Sequence, residues 1–97
     1  MRAHLPAGLI KYGGTAVFTD KTVPSKLTNT HNTKVGVWGK LIVIQGALEY
    51  VIIGPPEHRT RIGKGEFGII EPEVNHYVRL LGEAAFRVDF YRKKESH

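Results

Sequence analysis

The 97-residue sequence contains no cysteine. This absence excludes disulfide bridges, cysteine-ligated zinc sites and thiol nucleophiles, so a metal ion would have to be held by histidine, carboxylate or water. It also suits a reducing compartment, and we expect the protein to be cytoplasmic.

Long apolar runs are missing as well. No segment approaches the ~18 consecutive apolar residues of a membrane helix, and the N-terminal stretch lacks the apolar run of a signal peptide, so we expect no membrane association. Aromatic residues make up only 9% of the chain, too few for the stacking surface of a single-stranded nucleic-acid-binding barrel, which is the least favoured alternative. The net charge of +5 is spread along the chain apart from a basic tail at residues 93–97. We therefore expect no nucleic-acid partner.

What the sequence does contain is a series of short runs rich in β-branched residues, separated by Gly, Pro, Asn and Asp. Six or seven such runs predict an all-β sandwich or barrel, formed by a single domain over residues 1–97 with its core at about 5–92. We predict one hairpin that turns at Gln45 and Gly46 and another that turns at residues 72–75. In the last run, alternation places Phe86, Val88 and Phe90 together on the face that points into the core.

The stretch "IIEPEVNHYVRL" carries the most specific candidate site. In the second predicted hairpin, Glu71 and His76 fall on the apolar face and oppose each other across the strand pair. They would then chelate a divalent metal ion, or Glu71 would fix the tautomer of His76 in a purely structural pair. His31, in a polar loop before the most hydrophobic strand, is the best third ligand. The spacing alone leaves both interpretations open.

Three further residues are candidates for binding a small ligand. Trp38 and Lys40 alternate with Ile42 on one strand face, so Lys40 would meet an oxyanion in a pocket, or it would extend to solvent while Trp38 packs. Tyr50 shares a face with Leu48 and fits a core position better than a site. The sequence shows no Ser-His-Asp series and no carboxylate pair of the kind that hydrolases use, and leaves open whether the protein is an enzyme.

The stretches "HNTKVGVWGKLIVIQGALEYVI", "GIIEPEVNHYV" and "FRVDFYR" resemble the small TehB/YeaR-like cupin domain that is associated with tellurite resistance. The resemblance runs from about Leu5 to Arg92. Cupins are double-stranded β-helices of the jelly-roll type that are often dimeric and commonly bind a divalent metal inside the barrel. The resemblance therefore implies a cupin fold, a homodimer and a metal site.

The first cupin motif is incomplete in this chain. His31 takes the position of its first histidine and Gly46 that of its glycine. Thr33, however, stands where the second histidine belongs, and Trp38 stands near the place of the glutamate. Two of the usual metal ligands are therefore missing.

The second cupin motif is retained from Gly65 through Pro72 to His76, with one residue fewer between proline and histidine. Together the motifs imply a divalent ion at His31 and His76, with Glu71 recruited and water completing the shell; zinc, iron, manganese and nickel are not distinguished. The expected function is binding of a small polar or anionic ligand, in stress or oxyanion resistance, and the alternative is a metal-free binding module. In longer relatives a similar domain can precede a methyltransferase domain, but this sequence has no glycine-rich cofactor loop after a strand, so we expect no methyl transfer from it alone.

Overall fold

The computed structural model describes residues 2–94, which are almost entirely β structure. The basic tail predicted at 93–97 lies outside these residues from position 95 onward. In chain order the elements are β1 (Leu9–Gly14), β2 (Phe18–Thr19), α1 (Ser25–Thr28), β3 (Trp38–Gln45), β4 (Ala47–Ile52), β5 (His58–Gly63), β6 (Phe67–Ile70), β7 (His76–Leu80) and β8 (Ala85–Lys93). Between positions 2 and 94 no helix is long and apolar enough to cross a membrane.

The strands form two antiparallel sheets. The larger sheet has five strands in the order β1-β8-β3-β6, with β2 also paired to β8, and the smaller sheet has the order β5-β4-β7. The all-β prediction is confirmed. Strands that follow one another in the chain often belong to different sheets, so most pairs join distant segments.

This topology overturns both predicted hairpins. β3 pairs with β6 and β8, whereas β4 pairs with β5 and β7, so the turn at Gly46 carries the chain from one sheet into the other. Gly46 has a φ of 67°, and a Cβ atom there would collide with the carbonyl oxygen of Glu83. The segment 71–75 likewise crosses from β6 in one sheet to β7 in the other. Glu71 and His76 are therefore not neighbours on paired strands.

The core lies between the two sheets. Leu41 and Val43 of β3 stand beside Val88 and Phe86 of β8 in the larger sheet, as their register requires. The prediction that Phe86 and Val88 face the core is confirmed, since both are almost fully buried. The buried members of this cluster are Leu41, Val43, Leu48, Tyr50, Ile62, Ile70, Val78, Phe86 and Val88.

Candidate functional site

Two histidines meet at one end of the space between the sheets. His76 is the first residue of β7, and His31 lies in the segment between α1 and β3. The backbone N–H of each donates to the carbonyl oxygen of the other at 2.8 Å, which forms an isolated antiparallel bridge. Their rings consequently lie 5.2 Å apart, edge to face at 79°. The backbone pairing thus fixes the two imidazoles together.

The hydrogen bonds of His76 fix its tautomer. Its Nδ1 atom lies 2.8 Å from the carbonyl oxygen of Val74. A carbonyl oxygen can only accept, so Nδ1 carries the proton and donates it. Burial lowers the pKa of His76, the bond to Val74 opposes this, and the neighbouring His31 lowers it further. The pKa of His31 is also lowered, by burial and then by the charge of Lys26. At neutral pH His76 is therefore uncharged, and its Nε2 atom carries no proton.

A small cavity reaches these rings from between the sheets. Its volume is about 40 Å³. Side chains of both sheets line it, among them Leu41, Val78 and Phe86, and apart from two threonines and the two histidines its wall is apolar. His76, which is only 3% exposed, therefore presents its ring to an enclosed and mainly apolar space.

A larger cleft lies next to this cavity. It has a volume of about 490 Å³ and includes Leu27, His31 and Phe90, which also line the cavity. Lys26 and Lys34 lie along the cleft, and among residues 2–94 no acidic residue lines either space. The two spaces are adjacent and share part of their walls, with the lysines along the cleft and the uncharged imidazole of His76 in the wall of the cavity.

Lys26 and Lys34 were not among the residues predicted for the site. Lys26 belongs to the four-residue helix α1, and Lys34 lies three positions after His31 in the sequence. The signal that would have found them is local: two lysines flank His31 in "SKLTNTHNTK". The sequence predicts His31 in a polar loop, but the lysines of that loop enter that prediction only through the overall charge.

Thr33 lines both the cavity and the cleft, at the position where the cupin pattern has a second histidine. It is 8% exposed, and its hydroxyl donates to the carbonyl oxygen of Val37 at 2.8 Å. The hydroxyl is thus engaged with the backbone. Within residues 2–94 no group of three or more His, Asp or Glu side chains is arranged to hold a metal ion. His31 and His76 come together as predicted, but Glu71 does not join them in such a group.

Tyr50 lies beside the histidine bridge. It is 1% exposed, and the centroids of its ring and the ring of His76 are 5.2 Å apart. Its hydroxyl has no hydrogen-bond partner within the part of the chain that the structure describes. Burial raises the pKa of this hydroxyl far above its usual value, and the charge of Glu71 raises it further. Tyr50 therefore keeps its proton at any physiological pH.

Trp38 and Lys40 lie on the other side of the larger sheet. Leu41 between the two sheets is fully buried, so the side chains of Trp38 and Lys40 point to the outer face by alternation along β3. There the Lys40 ammonium lies 4.3 Å from the centroid of the Phe67 ring, and the Arg2 guanidinium lies 5.3 Å from that of Trp38. The structure does not bring these two predicted ligand-binding residues together with the histidines.

Two facing antiparallel sheets, crossed repeatedly by the chain and with histidines at one end of the interior, define a cupin-type jelly-roll, or double-stranded β-helix. A crystal structure of a cupin-2 domain protein from Shewanella frigidimarina has the same fold, with a TM-score of 0.52 at 16% identity over 89% of this chain and 67% of that one. The family model for the TehB-like domain matches residues 14–88. The chain belongs to the TehB-like family.

Two relatives show how far the likeness extends. The probable S-adenosyl-L-methionine-dependent methyltransferase TehB from Haemophilus influenzae is 33% identical over 96 residues, which cover 92% of this chain. Its crystal structure aligns with a TM-score of 0.79. This chain spans only 33% of the length of that protein. A protein from Escherichia coli K12 aligns with a TM-score of 0.86 at 25% identity, over 95% of this chain and 98% of its own length.

Proposed function

We propose that the protein is a cupin-type binding protein for a small organic anion that occupies the cleft and the cavity behind it. The observation that supports this most is their shared wall: a space of about 490 Å³ bordered by Lys26 and Lys34 lies beside a mainly apolar cavity that His76 lines. Small-molecule sites are typically concave and mostly apolar, with a few polar groups that fix orientation. This site has that composition.

The charges indicate how such a ligand would be oriented. Within the described part of the chain, the lysines are the only residues of the basic or acidic types that line either space besides the two histidines, whose pKa values are lowered. An acid group would therefore lie at the mouth beside Lys26 and Lys34. The apolar body would then pack inward against Leu27 and Phe90, where burial of apolar area stabilises the complex.

The proposal is tested with hexanoate and its uncharged analogue hexanamide, using calorimetry at low salt. We expect hexanoate to bind more tightly than hexanamide, and Lys26→Ala and Lys34→Ala each to weaken it by roughly two- to fivefold, the range of an exposed charge pair. Lys64→Ala is the matched control, since Lys64 is an exposed lysine that lines neither space. Equal affinity for the acid and the amide, or an equal effect of all three lysines, would contradict the assignment of the mouth.

A divalent metal ion at the histidines is the second candidate. It is favoured by the bond from Nδ1 of His76 to Val74, because a metal-binding histidine usually donates its other ring N–H to such a partner. His31 and His76 would supply two nitrogen ligands, with Glu71 and water as further oxygen ligands, and the ion would supply Lewis-acid chemistry when bound. Zinc, iron, manganese and nickel all accept such a set. Within residues 2–94 Glu71 does not form a three-residue metal-binding group with the two histidines. A metal site here would therefore depend on His31 and His76.

Elemental analysis of the untagged protein decides between a metal-dependent and a metal-free site. Stoichiometric metal in the wild type that is lost in folded His31→Ala and His76→Ala variants would establish the metal site. Retention of hexanoate affinity in the presence of a chelator would establish the metal-free site instead.

A cellular role in stress or oxyanion resistance, in the cytoplasm, is the part of this proposal that rests on family membership. The relative from Haemophilus influenzae is named as a probable methyltransferase, but this chain spans a third of its length, and we propose no methyl transfer for it. Growth on tellurite of strains with and without the wild-type chain or the His76→Ala variant tests the role. Equal tellurite tolerance in all three strains would remove it.

We also propose a homodimer. Strand β1 lies at one edge of the larger sheet, and Ile10 and Tyr12 on it are 46% and 44% exposed. An open edge with apolar side chains is a surface that pairing with a second copy would cover. Light scattering should give a mass near twice 10.8 kDa, and Ile10→Lys should return the protein to the monomer. A wild-type monomer at high concentration would refute this assembly.

A further inference from the structure

A second space, the basic recess, lies at one end of the larger sheet, where β3 begins beside the end of β8. Its volume is about 410 Å³, and Tyr12, Trp38, Arg92 and Lys93 are among the residues that line it. Among residues 2–94, its wall has Tyr12 and Val37 in common with the cleft and contains no acidic residue. The basic recess is therefore a separate space with cations and aromatic residues in its wall.

The cations of the basic recess are not neutralised by the protein. The guanidinium of Arg92 lies 4.5 Å from the centroid of the Tyr12 ring. In the part of the chain that the structure describes, neither Arg92 nor Lys93 makes an ion pair with a carboxylate, whereas Arg59 and Arg79 each contact a glutamate. A cation–π contact positions a guanidinium without neutralising its charge. The N–H groups of Arg92 therefore remain available to an anion.

The apolar part of the basic recess is open to solvent. Tyr12 is 44% exposed and Val35, which also lines the recess, is 76% exposed. Trp38 is half-buried. A single exposed apolar side chain is ordinary on a protein surface, but here three lie in one recess beside two unpaired cations. A flat ring placed there would bury apolar area and contact aromatic surface.

The charges indicate which anionic group such a ring would carry. A guanidinium pairs bidentately with a carboxylate or with a phosphate. Two neighbouring cations favour the group of larger charge, because Coulomb attraction increases with the product of the charges. A phosphate monoester carries about −1.5 to −2 charges at pH 7, more than a carboxylate. The pair of cations therefore favours a phosphate monoester.

We propose that the basic recess binds a small phosphate monoester whose body is a flat ring. The phosphate group contacts Arg92 and Lys93, and the ring packs against Tyr12 and Trp38. This inference goes beyond the proposed function, because it concerns a different space and different cations.

The fluorescence of Trp38 tests the inference. Trp38 is the only tryptophan in the sequence, and it lines the basic recess but not the cleft. Titration of the wild type with phenyl phosphate at low salt should change its emission in a saturable way. Inorganic phosphate lacks the ring and benzoate lacks the second charge, so both should bind severalfold more weakly than phenyl phosphate.

Substitution of exposed cations locates the phosphate group. Arg92→Gln and Lys93→Gln should each weaken phenyl phosphate by roughly two- to fivefold, the range of an exposed charge pair. Arg61→Gln is the matched control, because Arg61 is exposed, makes no ion pair within residues 2–94 and does not line the basic recess. It should leave the affinity unchanged, as should Lys26→Ala in the cleft.

Each part of the proposal has an outcome that overturns it. Binding of phenyl phosphate that leaves the Trp38 emission unchanged, or no binding at all, would rule out the basic recess. Equal affinity for inorganic phosphate would rule out recognition of the ring, and equal affinity for benzoate would rule out the preference for phosphate. An equal effect of Arg92→Gln and Arg61→Gln would show nonspecific attraction to a basic protein. The proposed function fails separately, through hexanoate and the lysines of the cleft.

Discussion

Acidification should destabilise this fold through the histidine bridge. Burial lowers the pKa of both His31 and His76 from the ordinary value of 6.5. Below that pH the unfolded chain takes up protons that the folded protein does not. Because the unfolded state then binds more protons, the free energy of unfolding decreases as the pH falls from 6.5 toward the folded pKa values.

The size of the effect follows from the number of protons. Each proton that only the unfolded chain binds changes the free energy of unfolding by about 1.4 kcal/mol per pH unit. His76, at 3% exposure, should supply the larger share of these protons, and His31, which is less buried, the smaller share. At pH 6.5 half of the imidazoles of the unfolded chain are protonated, so the two histidines give a slope of at most about 1.4 kcal/mol per pH unit there, rising to a limit of about 2.8 at a lower pH where only the unfolded chain is fully protonated.

The assay is urea unfolding, monitored by circular dichroism at a series of pH values from neutral to moderately acidic. His76→Gln has no imidazole at this position, so the slope of its unfolding free energy against pH should be smaller than that of the wild type. Titration of carboxylates contributes equally to both proteins and cancels in the difference. Identical slopes in the wild type and the variant would refute the argument that His76 is buried in its neutral form.

Three other substitutions test the packing and the site. Thr33→His should raise the affinity for Zn²⁺ or Ni²⁺ by at least about tenfold in isothermal titration, because it adds a third imidazole where the bridge supplies two; unchanged affinity would contradict this geometry. Phe86→Ala should cost about 3 to 5 kcal/mol in urea unfolding, whereas Phe67→Ala, at a ring that is 38% exposed, should cost clearly less. Equal costs would mean that the assignment of the inner face is wrong. Gly46→Ala should lower the melting temperature, because its Cβ would collide with the carbonyl oxygen of Glu83. An unchanged melting temperature would contradict the close approach of Gly46 to Glu83.

The sequence predicted strand faces better than strand partners. Alternation correctly placed Phe86 and Val88 in the core, because the side-chain period of a strand depends only on local geometry. Alternation also placed Trp38 and Lys40 on one face, which was interpreted as the wall of a ligand pocket. A half-buried outer face of a sheet has the same sequence pattern, so the pattern could not distinguish the two. The two predicted hairpins failed because a jelly-roll pairs strands that are far apart in the chain, and periodicity carries no information on pairing partners.

The candidate site was predicted in part. His31 and His76 were named in advance, through the hydrophobic strand that follows one and the motif that contains the other. Their contact depends on a backbone bridge between positions 45 residues apart, which no local pattern reveals. Glu71 was expected opposite His76 because the segment between them was read as a hairpin turn. The sequence favours a core position for Tyr50, and only the arrangement of the surrounding strands shows that its hydroxyl has no hydrogen-bond partner among residues 2–94.

The most direct test of this account is a nitrogen-detected NMR spectrum of the histidine rings, recorded at neutral pH with and without hexanoate. The account predicts that His76 is a neutral imidazole protonated at Nδ1, and that hexanoate shifts its Nε2 resonance and those of His31 while leaving those of the exposed His58 unchanged. A His76 ring protonated at Nε2, or histidine resonances that do not respond to hexanoate at any concentration, would contradict the claim that the bridge forms the inner end of a binding site.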